Sequence, residues 1–134
     1  MLMPKKVKHR KWQKGRTRGV ASRGFELAFG SCGLKAMQTA WVDGRQIESA
    51  RRTITHSLKR GGKLWIRIFP DMPRTRKGQE VPMGGGKGAV EFYVAPVKPG
   101  RILFEIDGIG ADEAKRALTL AARKMPMKTR IVTR

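Results

Sequence analysis

A large excess of positive charge is the feature that most constrains how this chain can fold. Its 134 residues include 30 lysines and arginines but only 10 aspartates and glutamates, which leaves a formal net charge of +20. Such self-repulsion destabilises a compact state in isolation, whereas a polyanionic partner removes the repulsion and adds the free energy of counterion release. We therefore expect nucleic acid as the partner, with an anionic membrane surface as the weaker alternative.

The remaining composition indicates one small domain in a reducing compartment. Hydrophobic residues make up 40% of the chain, which is enough for one modest core. No segment approaches the roughly 20 apolar residues of a membrane-spanning helix, and no apolar stretch follows the basic N-terminus, so we expect no secretory signal. Because Cys32 is the single cysteine, it forms no intramolecular disulfide and is expected to be a buried thiol. We expect the cytoplasm or the interior of an organelle.

The first 24 residues predict a basic arm, followed by a single domain over residues 25–134. Between Lys5 and Arg23 there are nine lysines and arginines and no acid. A segment so poor in large apolar residues cannot fold alone, so we expect an arm that becomes ordered on RNA rather than a solvated tail. His9 and Trp12 add surfaces on which unpaired bases can stack. The RNA-binding candidates are Lys5, Lys6, Lys8, Arg10, Lys11, Trp12, Lys14, Arg16 and Arg18.

Apolar periodicity predicts a helix over residues 43–60. Its apolar face repeats at a spacing of three to four residues, Asp43 suits the N-cap, and Gly61-Gly62 ends the helix. The opposite face carries several cations, and Glu48 is the one acid near its edge. We expect this face to contact RNA phosphates rather than solvent alone. Its candidates are Arg45, Arg51, Arg52, His56, Lys59 and Arg60.

Alternating and β-branched residues predict strands at 25–29, 34–42, 63–69, 90–97 and 101–106, and an edge strand at 129–133. A second helix is expected over 112–125, because two acids occupy its first turn and Pro126 follows its end. Helices mixed with hairpin-connected strands indicate an α+β fold, with two helices packed on a mainly antiparallel sheet.

Residues 71–89 predict a long loop rich in proline and glycine, and loops of this length are usually functional or disordered. The run 83–88 is not a nucleotide-binding P-loop, because Gly88 and a strand follow Lys87 where that motif requires Ser or Thr and a helix. We expect a flexible tip whose backbone approaches RNA closely. The loop candidates are Arg74, Arg76, Met83, Gly84, Gly85, Gly86 and Lys87. Together the arm, the helix and the loop predict three separate cationic surfaces.

No catalytic or metal-binding constellation accompanies these surfaces. The two histidines, His9 and His56, are far apart, and the acids are scattered without a pair placed for acid–base chemistry. We therefore expect no enzymatic activity, metal, cofactor or small-molecule substrate. The alternative is a nucleotide-binding enzyme that uses the glycine-rich loop, and saturable binding of a nucleoside triphosphate would distinguish it. A membrane-surface protein is the weakest alternative, because the basic helix lacks bulky apolar anchors.

A series of short motifs resembles the bacterial-type family of large ribosomal subunit protein sixteen, from Pro4-Lys5-Lys6 to Val132. The motifs are Arg10-Lys11, Lys14-Gly15-Arg16, Phe29-Gly30, Gly33-Leu34, Arg45-Gln46-Ile47-Glu48, Ala50-Arg51-Arg52, Gly62-Lys63, Trp65-Ile66-Arg67-Ile68-Phe69-Pro70-Asp71, Met83-Gly84, Gly86-Lys87-Gly88, Pro99-Gly100, Ala121-Ala122 and Lys124-Met125-Pro126. Each motif alone is weak, but their shared order is highly specific.

The resemblance implies a structural constituent of the large ribosomal subunit. Such a protein binds large-subunit rRNA near the aminoacyl-tRNA site, supports subunit assembly and tRNA positioning, and adjoins neighbouring ribosomal proteins. It places Arg51 and Arg52 near rRNA or tRNA, and residues 83–88 at a loop tip directed toward the peptidyl transferase centre.

Two positions depart from the family pattern. Many members carry arginine immediately before the Met-Gly of the loop, where this chain has Pro82. Many also carry lysine where this chain has Met72. The first change removes a cation from the loop tip, and we expect Arg74, Arg76 and Lys77 to compensate for it.

Overall fold

The computed structural model describes residues 2–59, 61–81 and 83–134. Within these ranges the chain forms seven β-strands and two α-helices. In chain order they are β1 (Cys32–Ala36), β2 (Ala40–Asp43), α1 (Gly44–Leu58), β3 (Lys63–Ile66), β4 (Met72–Arg76), β5 (Ala89–Val97), β6 (Ile102–Asp107), α2 (Ala111–Ala122) and β7 (Thr129–Thr133).

The strands form two antiparallel sheets, which confirms the α+β fold. The first sheet has the order β3-β6-β1-β7 and the second has the order β2-β5-β4. The predicted edge strand at 129–133 is confirmed as β7. The predicted strand at 34–42 is wrong as one unit, because it divides into β1 and β2, which belong to different sheets. The division lies at Met37, whose N–H donates to Lys128 O at 2.8 Å, and at Gln38, whose Oε1 accepts the N–H of Lys128 at 3.0 Å.

The capped helix predicted over 43–60 is confirmed as α1. Asp43 and Gln46 form a reciprocal capping box: the Asp43 carboxylate accepts the N–H of Gln46 at 2.8 Å, and Gln46 Oε1 accepts the N–H of Asp43 at 3.1 Å. The helix ends at Lys59, which adopts a left-handed conformation with φ of 49°. Gly61 then donates to Leu58 O at 2.9 Å. Arg60 lies outside the described residues.

The core lies where the two helices pack on each other and on both sheets, α2 on β1 and β7 of the first sheet and α1 on β2 of the second. Its largest fully buried side chains include Phe104, Leu34, Ile47, Ile54 and Leu118. Cys32 is 3% exposed, as expected for a structural thiol. The second helix stops at Ala122, three residues before its predicted end, yet Met125 and Met127 beyond it are buried in the same core. None of the described helices is long and apolar enough to cross a membrane.

Three further predictions are wrong. Residues 25–29 form no strand, and the N–H groups of Ala28 and Phe29 donate to one buried carboxylate instead of a neighbouring strand. The predicted loop 71–89 contains β4, which pairs with β5 from Met72↔Val94 to Arg76↔Ala89. The strand predicted at 63–69 ends at Ile66, although the N–H of Arg67 still donates to Leu103 O at 2.9 Å.

Candidate nucleic-acid interface

The arm is a chain segment without helix or strand whose cations point largely into solvent. Its lysines and arginines are exposed except Lys11, which is half-buried, and Trp12 is 40% exposed. The indole N–H of Trp12 donates to His9 O at 3.2 Å, which orders the ring locally. Among the described residues, none of the arm's cations forms an ion pair with an acid. The arm therefore presents uncompensated charge beside an ordered aromatic ring.

The arm is attached to the folded body at both of its ends. Leu2 packs against the hydrophobic core. At the other end the N–H of Ala21 donates to Pro99 O at 2.9 Å, and Gly24 O accepts the N–H of Ile102 at 2.7 Å. These contacts fix where the cationic segment leaves and rejoins the body.

The polar face of α1 carries four exposed candidates, Arg45, Arg52, His56 and Lys59. Glu48 lies among the arginines of this face, and not only near its edge as the sequence pattern indicated. It forms ion pairs with both neighbouring arginines, at 2.5 Å to Arg51 and 3.2 Å to Arg52. The hydrogen bond and charge of Arg51, together with those of Arg52, lower the pKa of Glu48 to about 2. The side chain of Arg51 is 38% exposed and that of Arg52 is 76% exposed, so Arg52 is the more accessible of the pair.

The tip of the glycine-rich loop is an open, left-handed stretch of backbone. Gly84, Gly85 and Gly86 have φ values of 100°, 73° and 93°, and a Cβ on any of them would meet no atom within 4 Å. Only glycine adopts such angles without strain, so the sequence is suited to this conformation. Met83 is fully exposed, and Lys77 Nζ donates to Gly84 O across the loop. Pro82 lies outside the described residues.

The two remaining loop candidates make contacts within the protein. The guanidinium of Arg74 lies 4.0 Å from the ring centroid of Trp41, an arrangement that immobilises both side chains. Arg76 is 3.7 Å from Glu91, and both side chains are largely exposed, so this ion pair is weak. Arg76 is thus the freer of the two cations.

The arm and the glycine-rich loop meet, so the prediction of three separate surfaces is wrong. Lys11 Nζ donates to Lys87 O at 3.0 Å, and Lys87 Nζ donates to Trp12 O. Each lysine thus anchors the other segment's backbone, and their ammonium groups lie on one continuous surface. This contact could not be predicted from a short stretch of sequence, because the partners are more than 70 positions apart in the chain.

The family model described as Ribosomal protein L16p/L10e matches residues 4–132 of this chain. The chain belongs to this ribosomal-protein family. The Large ribosomal subunit protein uL16 of Nitrobacter hamburgensis is 60% identical over 134 residues, covering all of this chain and 98% of that protein. The protein of the same name from Rhodopseudomonas palustris strain HaA2 is also 60% identical, with the same coverage of both chains. The one from Porphyromonas gingivalis is 54% identical over the whole chain and 93% of its own length.

Membership of the L16p/L10e family confirms the resemblance seen in the motifs. It identifies a ribosomal component rather than an enzyme, so the nucleotide-binding enzyme alternative is set aside. Within the described part of the chain, no group of three or more His, Cys, Asp or Glu side chains is placed to hold a metal ion.

One further cationic surface of this L16p/L10e protein escaped the sequence interpretation. Seven exposed cations occupy the last 20 residues and no acid follows Glu113, which defines a C-terminal cationic face. None of these cations forms an ion pair among the residues described. The absence of acids was a usable signal, but this region was used only to predict the second helix and the edge strand. The face consists of Lys115, Arg116, Arg123, Lys124, Lys128, Arg130 and Arg134.

A buried ionic network also escaped the sequence interpretation. Glu105 is fully buried on β6, and one carboxylate oxygen accepts the N–H groups of residues 28–30 at 2.9 to 3.0 Å. The other oxygen forms an ion pair with Arg67. Burial raises the pKa of Glu105, but the hydrogen bonds from Gly30, Arg67 and the neighbouring backbone outweigh it, so the pKa is lowered and the group stays charged. A lone acid in an apolar strand was the only signal.

Proposed function

We propose that this protein is a structural constituent of the large ribosomal subunit that binds large-subunit rRNA, next to other ribosomal proteins of that subunit. The proposal is supported by full-length similarity to proteins named Large ribosomal subunit protein uL16. Incorporation into ribosomes places the protein in the cytoplasm. One observation carries the RNA-binding part: the exposed cations of the arm have no acidic partners among the described residues.

The proposed rRNA interface combines the arm, the polar face of α1 and the glycine-rich loop. A segment attached at both ends with free cations between them suits a path between RNA helices, where phosphates approach from several directions. On this proposal residues 1–24 act as the RNA-binding arm of a single domain over 25–134. Arg60, which lies outside the described residues, joins the α1 face through its position in the sequence alone.

We further propose that the protein lies near the aminoacyl-tRNA site and supports tRNA positioning as well as subunit assembly. Arg51 and Arg52 would face rRNA or the tRNA body, and the tip 83–87 would point toward the peptidyl transferase centre. The support is a left-handed tip whose three glycines have no atom within 4 Å of their Cβ positions, which leaves that side open to an RNA strand. With Pro82 in place of the family's arginine, Arg76 and Lys77 retain positive charge at the base of the tip.

The rRNA interface is tested by the salt dependence of binding to large-subunit rRNA. A protein that neutralises several phosphates loses about 10³- to 10⁵-fold in affinity between about 50 and 200 mM salt. We expect a loss in this range in a filter-binding titration. An affinity that does not change with salt would refute phosphate contact as the basis of binding.

The α1 face is tested by comparing two single substitutions. Arg52→Gln should weaken rRNA binding or tRNA affinity of reconstituted subunits, because Arg52 is the more exposed partner of Glu48. Lys63→Gln, at the exposed start of β3 outside the arm, the α1 face and the glycine-rich loop, is the matched control. Equal effects of the two variants would argue against a specific surface on α1.

The contribution of the loop to tRNA binding has its own test. Replacing Arg74, Arg76 and Lys77 together with glutamine should weaken tRNA binding to reconstituted subunits if these cations substitute for the missing arginine. Unchanged tRNA affinity would remove this part of the proposal and leave the rRNA interface intact.

A further inference from the structure

A pair of stacked aromatic rings, of which Phe29 is exposed and Trp65 is half-buried, lies outside the surfaces proposed to bind RNA. The rings of Phe29 and Trp65 are 5.8 Å apart with an interplanar angle of 16°, and 53% of Phe29 is exposed. Trp65 lies on β3, which is an edge strand of the first sheet. An exposed phenyl ring forfeits most of the free energy that its burial would contribute, so the pair is poorly explained by stability alone.

Contacts with Glu105 and Arg67 fix the positions of the two rings. The buried carboxylate of Glu105 accepts the N–H of Phe29 and of both adjacent residues, and Glu105 is the direct register partner of Trp65. The ion-paired guanidinium of Arg67 lies 5.3 Å from the ring centroid of Phe29. The rings are therefore ordered before any partner binds, which lowers the entropic cost of binding.

The surroundings of the pair identify what kind of partner it fits. The charges nearby are mixed: Lys63 lies two residues before Trp65 on the same face of β3, opposite Asp107, and Arg134 donates to Leu27 O at 3.1 Å near the exposed Glu26. Two rings within a charged rim are far smaller than the roughly 800 Å² per partner of a stable protein interface. They match the size and planarity of one nucleobase, which stacks on an aromatic ring whatever its identity.

We propose that Phe29, supported by Trp65 and Arg67, is a stacking platform for one unpaired base of rRNA. The proposal rests on the proposed function, because rRNA is the partner. It differs from the cationic surfaces in its physics: a ring stacks on a base, and the mixed local charge adds little attraction for phosphates.

The test measures rRNA affinity of the full chain at several salt concentrations. Phe29→Leu keeps an apolar side chain but removes the ring, and we expect affinity to fall by about 5- to 150-fold, the effect of removing one base–aromatic stack. The slope of affinity against salt should stay unchanged, because the same phosphates remain neutralised. Phe29→Trp should retain affinity. Phe92→Leu is the matched control: Phe92 is 43% exposed and has neither a stacked ring nor a cation over it among the described residues.

A second measurement does not depend on the stability of any variant. Ultraviolet crosslinking of the unmodified protein in reconstituted subunits should attach a nucleotide to the peptide that contains Phe29 or Trp65. Wild-type binding with an unaffected Phe29→Leu variant and no such adduct would overturn the platform while leaving the proposed function standing. A crosslink from this pair to a neighbouring protein instead would also overturn it. If the wild-type protein does not bind rRNA at all, the proposed function itself fails.

Discussion

Replacing Glu105 with glutamine tests whether its buried carboxylate organises the segment that presents Phe29. One carboxylate oxygen accepts three backbone N–H groups of residues 28–30, and the other pairs with Arg67. Glutamine has nearly the same shape but no charge, and its NH₂ group can only donate. In either orientation of the amide, its NH₂ group therefore faces another donor, either the N–H groups of residues 28–30 or the guanidinium of Arg67. Arg67, whose side chain is only 17% exposed, is left without a counter-ion.

We expect this substitution to lower the free energy of unfolding by about 3 kcal/mol. Removing one partner of a buried ion pair costs about 3–5 kcal/mol, because the other charge stays buried. The value lies at the lower end because Arg67 is partly hydrated and glutamine can keep some of the backbone hydrogen bonding. An unfolding entropy of about 2.1 cal/mol/K per residue over the 134 residues gives roughly 0.28 kcal/mol/K. The melting temperature should therefore fall by about 10 °C.

The measurement is calorimetric and urea-induced unfolding of the isolated protein at neutral pH and high salt, which screens the self-repulsion. Glu91→Gln is the matched control, because Glu91 is an exposed acid in a 3.7 Å ion pair with Arg76. Its effect should be within about 0.5 kcal/mol. A destabilisation below about 1 kcal/mol for Glu105→Gln, or equal effects of the two variants, would refute the view that this network holds residues 28–30 in place.

Three further predictions concern acid stability, packing and RNA affinity. The pKa of Glu105 is lowered in the folded protein, so the charged carboxylate stabilises the fold at neutral pH, and this stabilisation is lost as the pH falls below the ordinary value of 4.5. Acid unfolding followed by circular dichroism should therefore be steeper for the wild type than for Glu105→Gln. Parallel unfolding curves would contradict this. Gly33→Ala should lower the free energy of unfolding in urea by about 1–3 kcal/mol, because its Cβ would clash with the Leu27 side chain and lie 3.0 Å from Phe104 O. Gly110→Ala is the control and should lower it much less, because its Cβ would have no atom within 4 Å. Replacing Lys115, Arg116, Arg123 and Lys124 with glutamine should reduce the salt slope of rRNA binding by on the order of 0.7–0.9 for each phosphate that is no longer neutralised, and an unchanged slope would exclude the C-terminal cationic face.

The elements predicted correctly from sequence are those whose determinants are local. The first helix carries its own cap in Asp43 and Gln46, its own apolar face and its own stop, so nothing distant was needed to place it. The turn between β5 and β6 was also placed correctly, because Gly100 adopts a φ of 98° between two apolar strands. The predicted hairpin is nevertheless wrong: β5 pairs with β2 and β4 in the second sheet, whereas β6 pairs with β1 and β3 in the first.

The elements that were missed depend on partners far along the chain. Residues 72–76 read as loop because they contain Pro73 and two arginines, yet they pair with β5 as the edge strand of the second sheet, the one position in a sheet where proline is tolerated. Residues 25–29 were predicted as a strand because they are mostly apolar, but the N–H groups of residues 28–30 donate to Glu105, some 75 positions away. Neither outcome is encoded within a short window of sequence.

In the candidate site, too, contacts between distant parts of the chain could not be predicted. One local contact was also missed, although its spacing in the sequence predicts it. Glu48 lies three residues before Arg51 and four before Arg52, and this is the spacing at which a glutamate pairs with following cations on a helix. Counting charges by face treated both arginines as free. Counting them by spacing would have marked Arg51 as largely committed and Arg52 as partly so.

The positions of the acids in the sequence decide which cations lack an ion-pair partner and are available to bind RNA. The acids that form ion pairs, Glu48, Glu91 and Glu105, all lie between the arm and α2, and their arginine partners lie in the same central part of the sequence. The segments 5–23 and 114–134 contain no acid, so their cations have no local partner. Uncompensated charge is thus concentrated at the two ends of the chain, in surroundings where it does little for the core. Substitutions at the ends should therefore weaken RNA binding with little loss of stability, whereas substitution of Arg67 should lower stability.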